Sequence, residues 1–376
     1  MQKPQIKEKL KTAIKLYKKT KDKRAGEVIE HLTKILSTSK SRSSLLDYAK
    51  HVYPTYKDPA HIKLIAKNLE LLEKGEITRL AVFMPPRHGK SMLCSEFFPA
   101  WYLGNNPNEF VIQSTYAQEL ADDFGRKVRN QLASPDFNSV FPQVGLRADS
   151  SSAKRFHTMQ GGTYSAVGAG GAITGRGAHL LIIDDPIKGR EDAESETQRR
   201  NLIEWYKSVA YTRLQPGGKI IIIQTRWHQD DLAGHILAES KEDWKVLDLP
   251  AIDDKGNALW PEAYSKKDLE KIKETVGQRV WQALYQQQPS NEEGSIIKRE
   301  WWNIYESEKI PSLSYVLQSY DTAFSTKSSA DFSACTTWGV FNARDESNKP
   351  YAAALLLDAW KERLEYPDLR KRAQES

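Results

Sequence analysis

Four short, almost wholly apolar runs set the frame for this chain: RLAVF at 79–83, FVIQST at 110–115, HLLII at 179–183 and KIIIIQT at 219–225. Each has the length of a strand, and stretches with helical spacing lie between them. Strands that are apolar on both faces and alternate with helices belong to a mostly parallel sheet covered on both sides. The fold class expected is therefore α/β. The glycine-rich segment 156–178 reads as a hairpin or loop leading into the HLLII strand. Upstream, Ile6, Leu10, Ile14 and Tyr17, then Val28, Leu32 and Leu36, carry helical spacing over residues 5–37. STSKSRSS after them reads as a serine-rich link. Downstream, QPSNEEGSI at 288–296 reads as a domain link. Beyond it, YVLQSYDTAF, SACTTWGVF and YAAALLLDAW read as three strands of a second, antiparallel sheet, and YPDLRKRAQES as a helix. No internal repeat is visible.

Composition narrows the class. The chain has 376 residues, 39% hydrophobic and 28% charged, an ordinary globular mix. No apolar run approaches the ~18 residues of a membrane span, and the N-terminus carries no secretory pattern. Cys94 and Cys335 form neither a disulfide framework nor a metal-binding spacing. The expectation is a cytoplasmic protein with reduced thiols. The net charge of +6 is unevenly placed: residues 1–50 hold 14 Lys/Arg against 5 Asp/Glu, and the other 326 residues total −3. That basic N-terminal piece reads either as a solvated helical arm or as a surface for a polyanion.

The chemistry begins at VFMPPRHGKS, 82–91. Gly-Lys-Ser ends a phosphate-binding loop of the form G-x-x-x-x-G-K-[ST], although Met84 occupies the first glycine position. The strand RLAVF runs into the loop and MLCSEFFPAWYLG leaves it with helical spacing, the context such a loop needs. Arg87, His88, Gly89, Lys90 and Ser91 are thus nucleotide-binding candidates, with Lys90 on the outer phosphates and the Ser91 hydroxyl on Mg²⁺. LLIIDDP at 180–186 ends a second buried strand in two acids. Asp184 is the candidate Mg²⁺ ligand and Asp185 the candidate base or orienter of the attacking water. IIIIQTRWHQDDLAGHI, 220–236, ends a third strand in Thr225 and Arg226, placed to sense the γ-phosphate. Arg176, in the glycine loop ITGRG, suits an arginine finger acting in cis or from a neighbouring subunit. Arg87 is a further candidate, a second cation beside the nucleotide with a catalytic role.

Taken together, HIKLIAKNLELLEKGEITRLAVFMPPRHGKS, GGAITGRGAHLLIIDDPIK, QTRWHQDDLAGHI and SYDTAFSTKSSADFSACTTWGVF resemble the large terminase subunits of tailed bacteriophages and prophages, collinearly over residues 51–376. The resemblance implies a P-loop ATPase of the additional-strand, catalytic-acid type, followed by an RNase H-like nuclease domain. It also implies ATP and Mg²⁺ in the first domain and Mg²⁺ or Mn²⁺ in the second. The implied partners are double-stranded DNA, a portal protein and a small terminase subunit, with a homo-oligomeric ring when assembled. That family tolerates a non-glycine where Met84 stands and favours an arginine within the loop. It often has glutamate where this chain has Asp185, one methylene shorter. The domains expected are a basic helical arm (1–50), the ATPase (51–287), a linker (288–310) and the first part of the nuclease (311–376).

In the second domain, Asp321 matches the family's first nuclease metal ligand, and Asp331 and Asp358 are further candidates. A two-metal site needs about three carboxylates from different elements. The family draws further acids from strands after the helix beginning near Tyr366, and the sequence stops at Ser376. The expectation is a chain that does not cut DNA efficiently by itself. The alternative readings are another DNA-dependent ATPase or helicase, or a non-catalytic prophage remnant that binds ATP or DNA.

Overall fold

The computed structural model describes residues 3–173, 175, 177–289, 301–305, 310–322, 333–344, 347–362, 364 and 366–375. The chain divides into two compact units, Met1–Ile296 and Ile297–Ser376.

In the first unit, α1 (Lys3–Thr20) and α2 (Lys23–Ser43) form a helical hairpin, followed by α3 (Leu45–Val52) and α4 (Ala60–Glu73). The serine-rich stretch expected to be a link is instead the end of α2. Its hydroxyls turn back onto the helix, Thr38 Oγ1 to the Lys34 carbonyl at 3.0 Å and Ser43 Oγ to the Lys40 carbonyl at 3.1 Å. Tertiary contacts override the weak helix preference of serine here: the Trp101 indole N–H donates to the Ser41 carbonyl at 3.0 Å, and Arg42 donates to the Val140 carbonyl. The helix breaks only at Ser44, whose side chain caps α3.

An eight-stranded sheet forms the centre. Its strands are β1 (Arg79–Phe83), β2 (Phe110–Thr115), β3 (Leu146–Ser151), β4 (Arg155–Thr158), β5 (Thr163–Gly168), β6 (Ala178–Asp184), β7 (Leu214–Gln224) and β8 (Lys245–Asp248), in the order β3-β4-β5-β2-β6-β7-β1-β8. The β3–β4 and β4–β5 pairs are antiparallel and the rest are parallel. The four apolar runs are β2, β6, β7 and β1, side by side at the middle. The expected hairpin is β4–β5, and β5 continues as a parallel neighbour of β2. Strand β7 stands between the loop-bearing β1 and the acid-bearing β6, the place of the additional strand that the resemblance implies.

Alternate residues of each central strand enter different cores. Leu80, Val82, Leu180, Ile182, Ile221 and Ile223 pack with α3, α4, α5 (Phe98–Asn105), α6 (Gln118–Leu132) and α7 (Pro135–Val140) on one face. Ala81, Phe83, Leu181, Ile183, Ile220 and Ile222 pack on the other. There they meet α9 (Glu196–Trp205), which follows the short α8 (Arg190–Glu194), and α10 (Leu232–Glu239). That two-sided burial is why these strands read as continuous apolar runs. A smaller cluster, Ala251, Leu269 and Trp281, forms under α11 (Lys266–Val280).

The second unit holds an antiparallel sheet of β9 (Tyr315–Asp321), β10 (Ser333–Arg344) and β11 (Pro350–Glu362), in the order β11-β10-β9, and α12 (Tyr366–Glu375). The three expected strands and the helix are all present.

Candidate nucleotide-binding site

The site is assembled at the carboxyl ends of β1, β6 and β7, the edge where ligands gather in open α/β sheets. Met84 follows β1 directly. Its side chain is fully buried in the core, and its backbone is not among the positive-φ positions. A glycine is therefore not needed there, which explains the departure from the general loop pattern. The loop curls instead at Arg87 (φ 63°) and Gly89 (φ 93°). At Gly89 a side chain would be strained by the left-handed backbone and would approach Ile62 Cδ1 at 3.2 Å. The helix after the loop begins at Lys90, passes through a π-helical turn at Met92–Phe97 and continues as α5.

Lys90 is buried, and its ammonium bridges two strand ends: 2.9 Å to Thr225 Oγ1 beyond β7 and 3.1 Å to Asp185 Oδ2 beyond β6. The other Asp185 oxygen accepts the Thr225 N–H at 2.8 Å. Asp185 has φ 42°, a conformation that aspartate tolerates better than most residues. Its own N–H donates to the Ile223 carbonyl at 2.8 Å, and its carbonyl accepts from Tyr116 N–H at 3.2 Å. The catalytic-acid candidate is thus held by both neighbouring strands. Asp184 faces the helix, where Ser91 Oγ donates to Oδ1 at 3.2 Å and Ser95 Oγ to Oδ2 at 2.6 Å. Burial pushes the Asp184 carboxyl well above the usual range, and the adjacent Asp185 charge adds to this. Lys90 and the two serines oppose it. A carboxylate that burial leaves poorly solvated, with a second acid beside it, is stabilised by an incoming cation.

A cavity of about 600 Å³ opens onto these groups, lined among others by Arg87, Lys90, Ser91, Tyr116, Asp185 and Thr225. Arg87 is exposed at its rim.

Two of the loop and strand-end candidates point elsewhere. The His88 ring turns to the back of the loop and is buried. It stacks on Tyr264 at 4.6 Å, and its Nδ1 lies 2.8 Å from the Pro86 carbonyl. Burial holds its pKa below the ordinary histidine value, with His61 and Lys90 adding to the effect. The His61 ring braces the same turn, lying between the carbonyls of His88 (3.0 Å) and Leu259 (3.2 Å). Arg226 also turns away: its guanidinium pairs with buried Asp231 at 2.8 Å and lies over the Phe83 ring.

Ser95 and Tyr116 are functional candidates that the motif reading missed. Ser95 had a visible signal, because it follows Ser91 by four residues and so shares its helical face. Tyr116 had none, since only the β2–β6 pairing brings it to Asp185. Arg176 and Asp331 lie outside the described residues, as does most of the 288–296 link. In the second unit, Asp321 pairs in register with Ala334 and Asp358 with Thr337. Ala334 and Thr337 are three residues apart on β10, so the alternation of side chains puts the two acids on opposite faces of the sheet. Among the described residues no group of three or more His, Cys, Asp or Glu is placed to hold a metal.

The family model described as terminase large subunit, T4likevirus-type, N-terminal, matches residues 82–304. The chain belongs to that family. The match covers the phosphate loop, both strand-end acids and Thr225. No curated protein matches the sequence. Among solved structures, the chain is similar to the large terminase of a thermophilic bacteriophage. For the complex with ATP-gamma-S the identity is 11%, the TM-score 0.40 and the coverage 82% of this chain and 72% of that one. For the complex with ADP the values are 11%, 0.37, 82% and 74%. Among the described residues, no helix of this terminase family member is long and apolar enough to cross a membrane.

Proposed function

We propose that the first unit is the ATP-hydrolysing motor of a terminase, coupling hydrolysis to movement of double-stranded DNA. The observation that carries this reading is the meeting of Lys90, Ser91, Asp184, Asp185 and Thr225 within hydrogen-bond reach at one sheet edge, beside a cavity of nucleotide size. The loop N–H groups and Lys90 hold the outer phosphates, and Arg87 adds a cation from the rim. Ser91 and Asp184 supply oxygen donors suited to Mg²⁺, which when bound neutralises phosphate charge. Asp185 orients water and accepts its proton as the water oxygen bonds to the γ-phosphorus and the bond to the β-phosphate oxygen breaks. The products are ADP and phosphate. Before that step the phosphates compete with Asp185 and Thr225 for the Lys90 ammonium, which frees the acid. Thr225, bonded to both Lys90 and Asp185, is placed to report the change along β7. Arg176 remains the finger candidate on sequence grounds alone.

In this reading His88 and Arg226 shape the site without touching nucleotide. Asp321 is the nuclease metal-ligand candidate of the second unit. The portal protein, the small terminase subunit, a ring assembly and a bacterial cytoplasmic location accompany the family reading. The test is steady-state ATP hydrolysis with Mg²⁺, with and without linear duplex DNA. Turnover raised by DNA and abolished by Lys90→Ala supports the motor. Nucleotide binding without turnover under every condition, including a portal-bearing capsid, would sink it.

A further inference from the structure

The charge of this chain is concentrated where the nucleotide chemistry is not. The sequence of α1 holds seven lysines and one acid. Its rotation is fixed, because Ile6 and Ala13 are buried and the Tyr17 ring lies against Gly26 of α2, where a side chain's Cβ would come within 3.2 Å of the ring. With that side inward, Lys7, Lys11, Lys15 and Lys18 stand exposed on the other side. At 100° per residue they fall within an arc of about 80°. From Lys7 to Lys18 the stripe is about 16 Å long. Along one strand of a duplex that length covers about five phosphates at ~3.4 Å of axis each. None of the four makes an ion pair with a described residue, whereas Lys40 of α2 pairs with Asp47 at 2.6 Å. Unpaired like charges at i, i+4 work against a helix, so the stripe weakens α1 unless a polyanion covers it.

We infer that this lysine face of α1 is a contact surface for the phosphate backbone of double-stranded DNA, read by charge and not by base. The inference rests on the proposed DNA motor and assigns that partner a place. Three observations favour DNA over an acidic protein. The stripe contains lysine only and no aromatic residue, whereas protein-binding hot spots are rich in Trp, Tyr and Arg. It is straight and regularly spaced. The hairpin that carries it is also tied down, through Trp101 on Ser41 and Arg42 on Val140, so it is presented as a fixed rail.

The experiment is fluorescence anisotropy of a 30-bp duplex of arbitrary sequence against NaCl concentration, using the full chain. The wild type is compared with the quadruple variant Lys7→Gln, Lys11→Gln, Lys15→Gln, Lys18→Gln and with the matching Arg quadruple, which keeps the charge. The expected result is that the Gln variant binds more than 10-fold more weakly at low salt. Its slope of log affinity on log salt should be shallower by about 3–4, at ~0.9 per phosphate contact, while the Arg variant matches wild type. ATP hydrolysis without DNA should be the same in all three. If the Gln quadruple loses helicity, Lys15→Gln alone should still lower the slope by about 1. An unchanged slope and affinity overturns the surface while leaving the motor intact. Full duplex binding combined with lost binding to poly-glutamate overturns it in favour of an acidic protein. Loss of ATP turnover in the wild type, with the slope difference preserved, would instead break the motor reading and leave the surface standing.

Discussion

The two units place acids at strand ends in opposite ways. In the first, Asp184 and Asp185 sit among fixed partners: two serine hydroxyls, a lysine, a threonine amide and the backbones of both flanking strands. In the second, Asp321 ends an exposed strand, and Asp358 lies on the other face of the sheet. The lesson is that an acid at a strand end becomes a site only when its surroundings are built to hold its charge. Preorganised groups act without rearrangement at the moment of reaction.

Substitutions can break or sharpen that contrast. The largest effect belongs to Lys90→Ala and Asp185→Asn, each expected to lower ATP turnover by about 10²–10³-fold while nucleotide binding by Asp185→Asn persists. Single-turnover hydrolysis and a nucleotide titration read the two separately. Next is Met84→Ala, expected to destabilise the first unit by about 2–3 kcal/mol in urea unfolding. A cost near zero would show that the loop is not anchored in the core. Ser95→Ala should raise the Mg²⁺ concentration for half-maximal turnover about 10-fold, with little change at saturating Mg²⁺.

A pair of one buried and one partly exposed residue supplies the intermediate case. Arg79 grips Glu242 through two N–H groups at 2.6 and 2.9 Å, and together with Tyr211 it holds the Glu242 carboxyl below its usual 4.5. A lowered carboxyl contributes stability above about pH 4.5 and loses it as pH falls through the folded-state value. The melting-temperature advantage of wild type over Glu242→Gln should therefore be present at pH 7 and shrink towards pH 3. The smallest effect belongs to Asp321→Asn, within about 0.5 kcal/mol of wild-type stability. If that substitution abolished a robust Mn²⁺-dependent nicking of plasmid, Asp321 would have functional partners outside the described residues, and the contrast would fail.

The sequence was most readable where one constraint acted alone. Two-sided burial produced the apolar runs of β1, β2, β6 and β7, and loop chemistry marked Gly89, Lys90 and Ser91. It was least readable where distant residues decide an orientation. Nothing local says that His88 turns back to Tyr264 or that Arg226 is taken by Asp231. The end of α2 shows the same effect: a serine run that favours a loop by composition is kept helical by an indole and a guanidinium that bond to distant parts of the chain.

Met84 has a mechanical consequence. A glycine at that position would make the start of the phosphate loop a swivel. The buried methionine anchors it in the core beside the sheet instead. The left-handed turns of the loop fall in the short stretch Arg87–Gly89, whose far side leans on His61 and Tyr264. The far side of that stretch therefore rests on the part of the chain around Leu259 and Tyr264, and its near side on the strand that carries it.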